Sequence, residues 1–402
     1  MAKAIGINKV VAYKKETNWG EVPTNTGAKQ IRRVTADFNL VKENYSSNEI
    51  RTDYQTSDFR HGVRSVEGSI SGELSPGAYA DFYAALLARD FTAVAGTASA
   101  EVTIAASGTN FSITRTAGNW LADGIKVGHI VRMTGAGLNA ANVGNNLLVI
   151  GVTATVLTVK VLSSTSLVAE GPITAVALAP VGKETYIPQT GHTDKSFTFE
   201  QWYSDIEESE VYSGVKFASA SISLPATGLV TTEFSAMGKD LARSGVTQYF
   251  SSPTAAGTNG IFASVQGALI VNGTEGACIT DATISIERAQ ENAICVGSNS
   301  ISEMFVGKIN VTGILSAYFS DSTLRNYFDD ETEVTIVLAL TTSEAKDADA
   351  MSIVLPRVKL GSASAADTEL GITQSIDFTA LLKDANTSGL VNSTIQIQDT
   401  TL

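Results

Sequence analysis

The chain has 402 residues, a formal net charge of −13, and 44% hydrophobic against 17% charged residues. This composition excludes a disordered chain, and the length allows two or three domains around a large buried core. The acidic excess argues against nucleic-acid binding as the main task, because neutralising phosphates needs clustered Lys and Arg.

No segment has the pattern of an export signal or a membrane span. Lysines interrupt the apolar residues 4–13, and the longest apolar run, residues 147–159, contains three threonines. A membrane span needs roughly 18 apolar residues, so we expect a soluble protein made in the cytoplasm. Cys278 and Cys295 form no CxxC motif, and we predict that they are small buried residues in a reducing compartment.

A first structural unit is predicted at residues 62–83 (GVRSVEGSISGELSPGAYADFY). Its first part alternates as in a strand, and its second part has the 3.6-residue period of a helix. The strand face contains Val66, Gly68, Ile70, Gly72 and Leu74, and the helix stripe contains Tyr79, Phe82, Tyr83, Leu86 and Leu87. Ser75 is predicted as the N-cap, with Pro76 at the first helical position. We expect the helix to pack back on the sheet, where the glycines leave room for large side chains.

Residues 307–328 (GKINVTGILSAYFSDSTLRNYF) repeat this unit at a constant offset of 245, without a gap. The equivalent strand face contains Val311, Gly313, Leu315, Ala317 and Phe319, Ser320 is the equivalent N-cap, and the helix stripe contains Leu324, Tyr327 and Phe328. Two further segments match: residues 215–221 resemble 358–364, and residues 233–237 resemble 377–381. We therefore predict a duplicated unit with the order strand, helix, strand, strand.

The spacing within the two copies differs and reveals an insertion. Tyr83 and Val215 are 132 positions apart, whereas Phe328 and Val358 are 30 apart. The difference, 102 positions, is the size of a small domain. Its Gly-rich turns and β-branched runs predict a compact all-β module over residues 93–185.

The predicted domains follow from the repeat and the insertion. Residues 1–92 and 186–250 form the first repeat, residues 93–185 the inserted module, and residues 251–402 the second repeat. The boundary between the repeats is the linker-like segment 251–260 (SSPTAAGTNG). After it, Asn272-Gly273 is the dipeptide that a type I′ hairpin favours.

We find no sequence signature of a catalytic, cofactor-binding or metal site. The three histidines, His61, His129 and His192, are far apart in sequence and are predicted at surface or loop positions. The two acidic clusters are Asp205, Glu207, Glu208 and Glu210, and Asp329, Asp330, Glu331 and Glu333. They lack the glycine-punctuated loop of a calcium motif, and we interpret them as solvated faces. Nucleotide-binding and hydrolase motifs are absent as well, so we predict no enzyme and no cofactor.

Several separated segments share their order with one known family. They are residues 10–20 (VVAYKKETNWG), 57–62 (SDFRHG), 68–82 (GSISGELSPGAYADF), 197–204 (FTFEQWYS) and 306–328. In these segments the chain resembles the major tail tube proteins of long-tailed, siphophage-type bacteriophages. The resemblance covers nearly the whole chain outside the inserted module.

The resemblance implies a mainly β fold, a β-sandwich or barrel flanked by an α-helix, here duplicated and carrying an all-β insertion. Sheets of neighbouring subunits then join into rings, and stacked rings form a tube through which the genome leaves the capsid. Family members with one unit form hexameric rings, so three duplicated chains would give a homotrimeric, pseudo-sixfold ring.

The resemblance also implies partners and a location. The partners are other copies of the chain, a tape measure protein in the lumen, tail terminator and tail-tip proteins, and passing DNA without specific binding. The expected location is the phage tail of the virion, with no membrane contact. The inserted module is expected on the tube exterior.

Two sets of residues are candidates for functional roles. Glu67 and Glu73, opposite the apolar strand face, are candidates for lining the lumen, where a shared negative sign would repel DNA; the alternative is that they face solvent. Three chains carry −39 per ring, three times −13. The polar segment 44–60 is a candidate contact with the next ring, with Tyr54, Phe59 and Arg60 as anchors, or else a mobile surface loop.

A secreted or surface-displayed, adhesin-like binding protein is the alternative function, because its composition is similarly rich in β-formers, Gly, Ser and Thr. That alternative predicts an export signal and an aromatic platform in loops, and neither is visible in the sequence.

Overall fold

The computed structural model describes residues 3–94, 96–97, 99–273, 275, 278–365, 371–383 and 389–402. This part of the chain is mainly β, as predicted, and contains two short α-helices. Its strands form one extended antiparallel sheet system and a separate closed barrel.

The N-terminal part of the sheet system and its helix come from both sides of the barrel sequence. Its elements are β1 (Lys9–Lys15), β2 (Lys29–Gln30), β3 (Thr35–Ser46), β4 (Phe59–Glu73), α1 (Ala80–Leu86), β5 (Thr92–Ala93), β12 (Lys183–Tyr186), β13 (Phe197–Tyr203), β14 (Glu208–Pro225), β15 (Thr231–Gly238) and β16 (Asp240–Gly245). Between them lie the barrel strands β6 (Ala100–Ser107), β7 (Asn110–Arg115), β8 (Ile130–Thr134), β9 (Leu147–Val152), β10 (Val156–Val161) and β11 (Glu170–Pro180).

The C-terminal part follows without an insertion. Its elements are β17 (Gly267–Val271), β18 (Ile279–Ala293), β19 (Glu303–Tyr318), α2 (Thr323–Asp329), β20 (Val334–Thr341), β21 (Ala350–Leu360), β22 (Ser364–Ala365), β23 (Thr373–Ala380) and β24 (Gln396–Asp399).

The strand pairing confirms the predicted duplication. In the first copy the hydrogen-bonded order is β1–β13–β14–β15–β4–β3, with β16 also on β14. In the second copy it is β17–β20–β21–β23–β19–β18, with β24 also on β21. The equivalent strands also follow one another in the same chain order, with one helix after the third strand of each copy.

Even the irregularities of the two copies coincide. The β3–β4 ladder shifts register between Lys42 and Asn44. The β18–β19 ladder shifts between Arg288 and Gln290, each 246 positions later. Because a bulge changes the local twist of a strand, the two copies change their twist at equivalent positions.

One predicted match between the copies was wrong by two residues. Gly68 pairs with Ala236, and its equivalent Gly313 pairs with Phe378. Ala236 is therefore the structural equivalent of Phe378, although the sequence similarity had matched Phe234 with it. A slip of two residues keeps every side chain on its face, so the alternating pattern did not distinguish the two alignments.

The two matched glycines leave room for large side chains, as predicted, but these belong to neighbouring strands and not to the helix that was the predicted partner. A Cβ atom on Gly68 would lie 2.4 Å from the Phe38 ring and from the Asp37 carbonyl oxygen. A Cβ atom on Gly313 would lie 2.3 Å from the Phe378 ring and from the Thr283 carbonyl oxygen. The ring comes from a different neighbouring strand in each copy, but the space it needs is the same.

Both helices begin later than predicted. α1 starts after Tyr79, and the hydroxyl of the predicted cap Ser75 is buried with no hydrogen-bond partner. Gly77 has a φ of +75°, which interrupts helical geometry, so residues 75–79 form turns. α2 starts after Ser322, two residues beyond the predicted cap Ser320.

The predicted apolar stripe of the first helix is confirmed, since all five of its residues are buried. Its centre is Phe82, whose ring centroid lies 4.6 Å from that of Phe217 and 5.6 Å from that of Phe234. In the second helix Leu324 is buried, but Tyr327 and Phe328 are only partly so. Phe319 is partly exposed because its strand ends at Tyr318.

Each copy is a two-layer sandwich with one long strand shared between the layers. In the first copy the N-terminal half of β14 pairs with β13 and β16, and its C-terminal half pairs with β15. The layers enclose one continuous apolar core that spans both copies. We call the layer with β3, β4, β15, β18, β19, β23 and the C-terminal halves of β14 and β21 the central sheet, and the other the outer sheet.

The six strands β6–β11 close into a barrel in the order β10–β7–β6–β11–β8–β9. Its interior contains Trp120, whose indole nitrogen donates to the Thr155 carbonyl oxygen at 3.0 Å. The barrel packs on the outer sheet of the second copy, not of the copy that contains it in sequence. Alternate residues of β20 show this: Val337 and Ala339 contact the barrel, while Ile336 and Leu338 face the sandwich core.

Buried polar groups fix the barrel to this sheet. Ile130 donates its backbone N–H to Gln398 at 2.8 Å, and Ser352 donates to the Gly128 carbonyl oxygen at 2.7 Å. Beside them, His129 Nε2 and a Glu184 carboxylate oxygen are 2.8 Å apart. Gln396 also donates to that carboxylate.

His129 lies in the loop before β8, which agrees with the predicted surface or loop position, but it is not at the surface, since its side chain is 0% exposed. Burial acts to raise the pKa of Glu184, but the hydrogen bond to His129 and the positive charges of Lys126 and Arg89 outweigh it. The pKa of this carboxyl therefore lies below its usual value, and the carboxylate is held ionised inside the contact.

Two smaller predictions meet different outcomes. Cys278 and Cys295 are free and exposed, not buried, because both lie in connections outside the ladders.

Asn272 and Gly273 have φ angles of 52° and 77°, the sign that a type I′ turn requires. They do not join a hairpin, however, because β17 pairs with β20 and not with the strand that follows it.

The glycine positions predict a steric effect on stability. We expect Gly313→Ala to lower the free energy of unfolding by about 1–3 kcal/mol, because the new methyl group meets Phe378 and a backbone oxygen. Gly257→Ala is the control, since nothing lies within 4 Å of a Cβ there. Urea unfolding of both variants measures the difference, and equal stabilities would contradict the packing argument.

The barrel contact predicts a second effect. His129→Ala leaves Glu184 buried without this partner, so we expect a loss of about 1–3 kcal/mol. His61→Ala is matched to it, because His61 is exposed, with a hydrogen bond to Asn44 at 3.0 Å and a ring contact with Phe59; a change within about 0.5 kcal/mol is expected there. Thermal unfolding monitored by tryptophan fluorescence compares the two, and a similar small change in both would count against a buried contact.

Candidate functional site

The central sheet has a continuous polar face. Eight strand positions follow one another in it: β3, β4, β15, β14, β18, β19, β23 and β21 with its continuation β22. The two copies join in its middle, where β14 pairs with β18 from Ser219↔Glu287 to Pro225↔Asp281. One copy therefore continues directly into the other through backbone hydrogen bonds.

Strand alternation gives this sheet two chemically different faces. One face packs into the apolar core through residues such as Phe38, Ile70, Phe234 and Ile284. The other face is formed mostly by Ser, Thr and acidic residues. Its seven carboxylates are Asp37, Glu67, Glu73, Glu233, Asp281, Glu287 and Asp377, placed on one face by the strand register.

Short polar contacts cross this face from strand to strand. Ser69 donates to Asp37 at 2.9 Å, and Ser362 donates to Asp377 at 2.8 Å. The hydroxyl groups of Ser219 and Ser235 are 2.6 Å apart. Small hydroxyl side chains thus leave the face even, with the carboxylates as its main charges.

The lysines that the strand register places on this face form ion pairs with nearby carboxylates. We considered the described residues that lie level, across the strands, with residues 67–73 of β4 or 310–316 of β19. On the polar face these positions include two lysines, Lys216 and Lys359. Lys216 is buried and lies 2.5 Å from Asp194, and Lys359 lies 3.2 Å from Glu331. The face therefore has a net negative charge.

The predicted residues Glu67 and Glu73 both lie on this face. Glu67 stands between Asn39 and Met237, and Glu73 stands opposite Thr231. The other five carboxylates were not identified from the sequence. Their signal was present in the alternation of β15, β18 and β23, but without the strand order nothing places those strands beside β4.

The predicted loop 44–60 is shorter in the structure, because β3 extends to Ser46 and β4 starts at Phe59. It connects β3 to β4, which form a long hairpin, and so lies beyond the tips of these two strands. Tyr54 is 99% exposed with a φ of 58°, and Phe59 is 48% exposed. Arg60 forms an exposed ion pair with Asp58 at 3.0 Å. All three side chains are therefore available for contacts.

The acidic clusters found in the sequence form local contacts at the surface. Glu210 accepts a hydrogen bond from Tyr212 at 2.9 Å. Glu333 lies 2.6 Å from Arg357, and this guanidinium lowers the pKa of the Glu333 carboxyl below its usual value. Within the described ranges, no group of three or more His, Cys, Asp or Glu side chains comes together to hold a metal ion.

Both ends of the central sheet have one strand without a further neighbour. β3 pairs with β4, and no other described strand pairs with it. At the other end, residues 362–365 pair with β23 on one side, and no described strand covers their second side.

No described helix is long and apolar enough to span a membrane.

Comparison with known protein families identifies the family of this chain. A family model described as phage tail tube protein matches residues 6–380, nearly the whole chain. No curated protein matches the chain.

Proposed function

We propose that this chain, which belongs to the phage tail tube protein family, polymerises into stacked rings that form the channel for genome ejection. The observation that carries the proposal is the central sheet. Its two equivalent halves are already joined edge to edge, and within the described residues each end of the sheet keeps an edge without a paired strand. Unpaired edges are templates for pairing with another chain.

We propose that each ring is a homotrimer with pseudo-sixfold symmetry. Each chain supplies two equivalent units, so three chains supply six. Their central sheets would together contain 24 strands, three times eight. With strands about 4.8 Å apart, such a barrel has a circumference of at least about 115 Å, and barrels of about 16–18 strands already enclose an aqueous channel.

The polar face is the proposed wall of this channel, lined by Glu67, Glu73 and the five other carboxylates. A trimer would present 21 of them, three times seven. Like charges repel the DNA phosphates. Most side chains between the carboxylates are Ser and Thr, although the exposed Ile314 also lies on this face. Passing DNA is then not bound.

The inserted module is proposed to lie on the tube exterior. The barrel packs on the outer sheet of the second copy, and the polar face lies on the opposite side of that sandwich. A channel on one side therefore places the barrel on the other. The domain division that we propose is residues 1–92 and 186–250, the inserted residues 93–185, and residues 251–402.

The remaining contacts follow from a place in the virion tail. Tyr54, Phe59 and Arg60 are exposed at one end of the central sheet, where they can contact the next ring. A tape measure protein in the lumen and terminator and tip proteins at the tube ends are the other proposed partners.

Electron microscopy and light scattering of the purified chain test the proposal. We expect stacked rings or tubes with a central channel, and a soluble ring with three times the mass of the 42.1 kDa chain. A chain that stays monomeric at all concentrations would instead favour the binding-protein alternative.

The charge of the channel wall predicts an effect on ejection. Glu67→Lys combined with Glu73→Lys should leave tubes intact but slow DNA ejection, because the new ammonium groups attract phosphates. Glu101→Lys with Glu344→Lys makes the same charge change on the barrel and a loop beside it. The rate of DNA ejection is measured for virions that carry each pair of substitutions. Equal rates for the two pairs would exclude Glu67 and Glu73 from the channel wall.

A further inference from the structure

We infer that neighbouring copies join through residues 38–41 of β3 in one chain and residues 362–365 of the next chain, in the antiparallel register of the internal β14–β18 junction. This inference rests on the proposed function only in taking a second copy as the partner. It adds which edges meet and which residues pair.

The internal junction is the template. Phe38 and Ile284 are equivalent because Phe38 pairs with Gly68 and Ile284 pairs with its counterpart Gly313. β3 in the first copy is thus the counterpart of β18 in the second. β18 is paired on both sides in the described structure, whereas β3 is paired on one.

The opposite edge has a counterpart as well. Phe217 and Leu360 pair with the equivalent residues Ala236 and Phe378. After a register shift in both copies, Ser219 corresponds to Ser362, whose hydroxyl bonds Asp377. Residues 362–365 therefore continue β21 as residues 219–222 continue the first half of β14.

Transferring the internal register gives the contact between chains. Inside one chain the pairs are Ser219↔Glu287, Ala220↔Ile286, Ser221↔Ser285 and Ile222↔Ile284. Their counterparts are Ser362↔Val41, Ala363↔Leu40, Ser364↔Asn39 and Ala365↔Phe38. The Ser-Ala-Ser sequence is the same on both edges, so the same small side chains meet the incoming strand.

Burial differs between the counterparts in the way a missing neighbour requires. Met304 of the second copy is 2% exposed, whereas its counterpart Phe59 of the first copy is 48% exposed. Ile222 is buried, whereas Ala365 is exposed. Phe59 and Ala365 are thus open where their counterparts are covered, whereas Phe38 and its counterpart Ile284 are both buried.

Polar contacts at the internal junction also have counterparts. Arg288 donates to the carbonyl oxygen of Ala85 at the C-terminal end of α1. Its counterpart Lys42 would approach the end of α2, where Asp329 and Asp330 are exposed. A cation near a helix C-terminus is favourable, and the two carboxylates add attraction of opposite charge.

This contact is head-to-tail, since it uses two different edges of the same chain. Head-to-tail contacts close into rings when the rotation between copies divides a full turn. Because the external junction reproduces the internal one, the rotation is the same at each of the six junctions of a trimer, and no edge of the central sheet stays open.

Cysteine cross-linking tests the register. In a background with Cys278→Ser and Cys295→Ser, we pair Val41→Cys with Ser362→Cys, which stand directly opposite in the proposed junction. Paired residues on neighbouring strands have Cα atoms about 4.5–5.5 Å apart, within reach of a disulfide. Mild oxidation of assembled rings should convert most of the chain into covalent oligomers, up to a closed species of three chains on a non-reducing gel.

The matched control is Asn39→Cys with Ser362→Cys. These positions lie on the same face but two residues out of register, so their Cα atoms would be about 8 Å apart, beyond disulfide reach. We expect at least a tenfold lower yield. If tubes form and both pairs cross-link equally or not at all, the junction is wrong while the proposed function stands. If the parent chain never assembles, both are overturned.

Discussion

The backbone hydrogen bonds of one long strand connect the parts of this molecule. β14 has 18 residues and belongs to both layers of the first sandwich. Its C-terminal half also pairs with β18, the strand through which the second copy joins the central sheet. Each peptide group in a sheet needs a partner on its own side of the strand, so a strand with neighbours on both sides fixes two units rigidly. Repacking of side chains alone would not keep them in one register.

The duplicated ladder also explains why chemistry on the polar face is uniform. With a period of two, every residue that faces the core places its neighbours on the opposite face. Phe38, Ile70 and Phe234 face the core, so Asp37, Ser71 and Glu233 face outward. Equal register through the β14–β18 junction then extends this face across both copies without a step. The continuity of the polar face thus follows from register, not from any single residue.

Local patterns in the sequence predicted the units but not their surroundings. The strand and helix of each copy were visible because period and apolar spacing are local properties, and the buried stripe around Phe82 agrees with them. The late start of α1 depends on Gly77, whose left-handed φ overrides the signal of Ser75 and Pro76. His129 was predicted at a surface or loop position, and its burial in a loop was not foreseen because its partner Glu184 is 55 positions away. Five of the seven carboxylates were missed because they share a face only through long-range pairing.

The insertion gives the two equivalent copies different environments. The barrel is part of the first copy in sequence but contacts Val337 and Ala339 of the second copy. It thereby covers an outer sheet whose alternate residues are apolar on both sides, which would otherwise expose them to water. The same contact ties the second copy to the chain segment that precedes β13, so the two halves are held together on the outer side as well as through the central sheet. A trimeric ring of the kind proposed above would contain six equivalent units and three barrels, because only one copy in each chain contains the insertion.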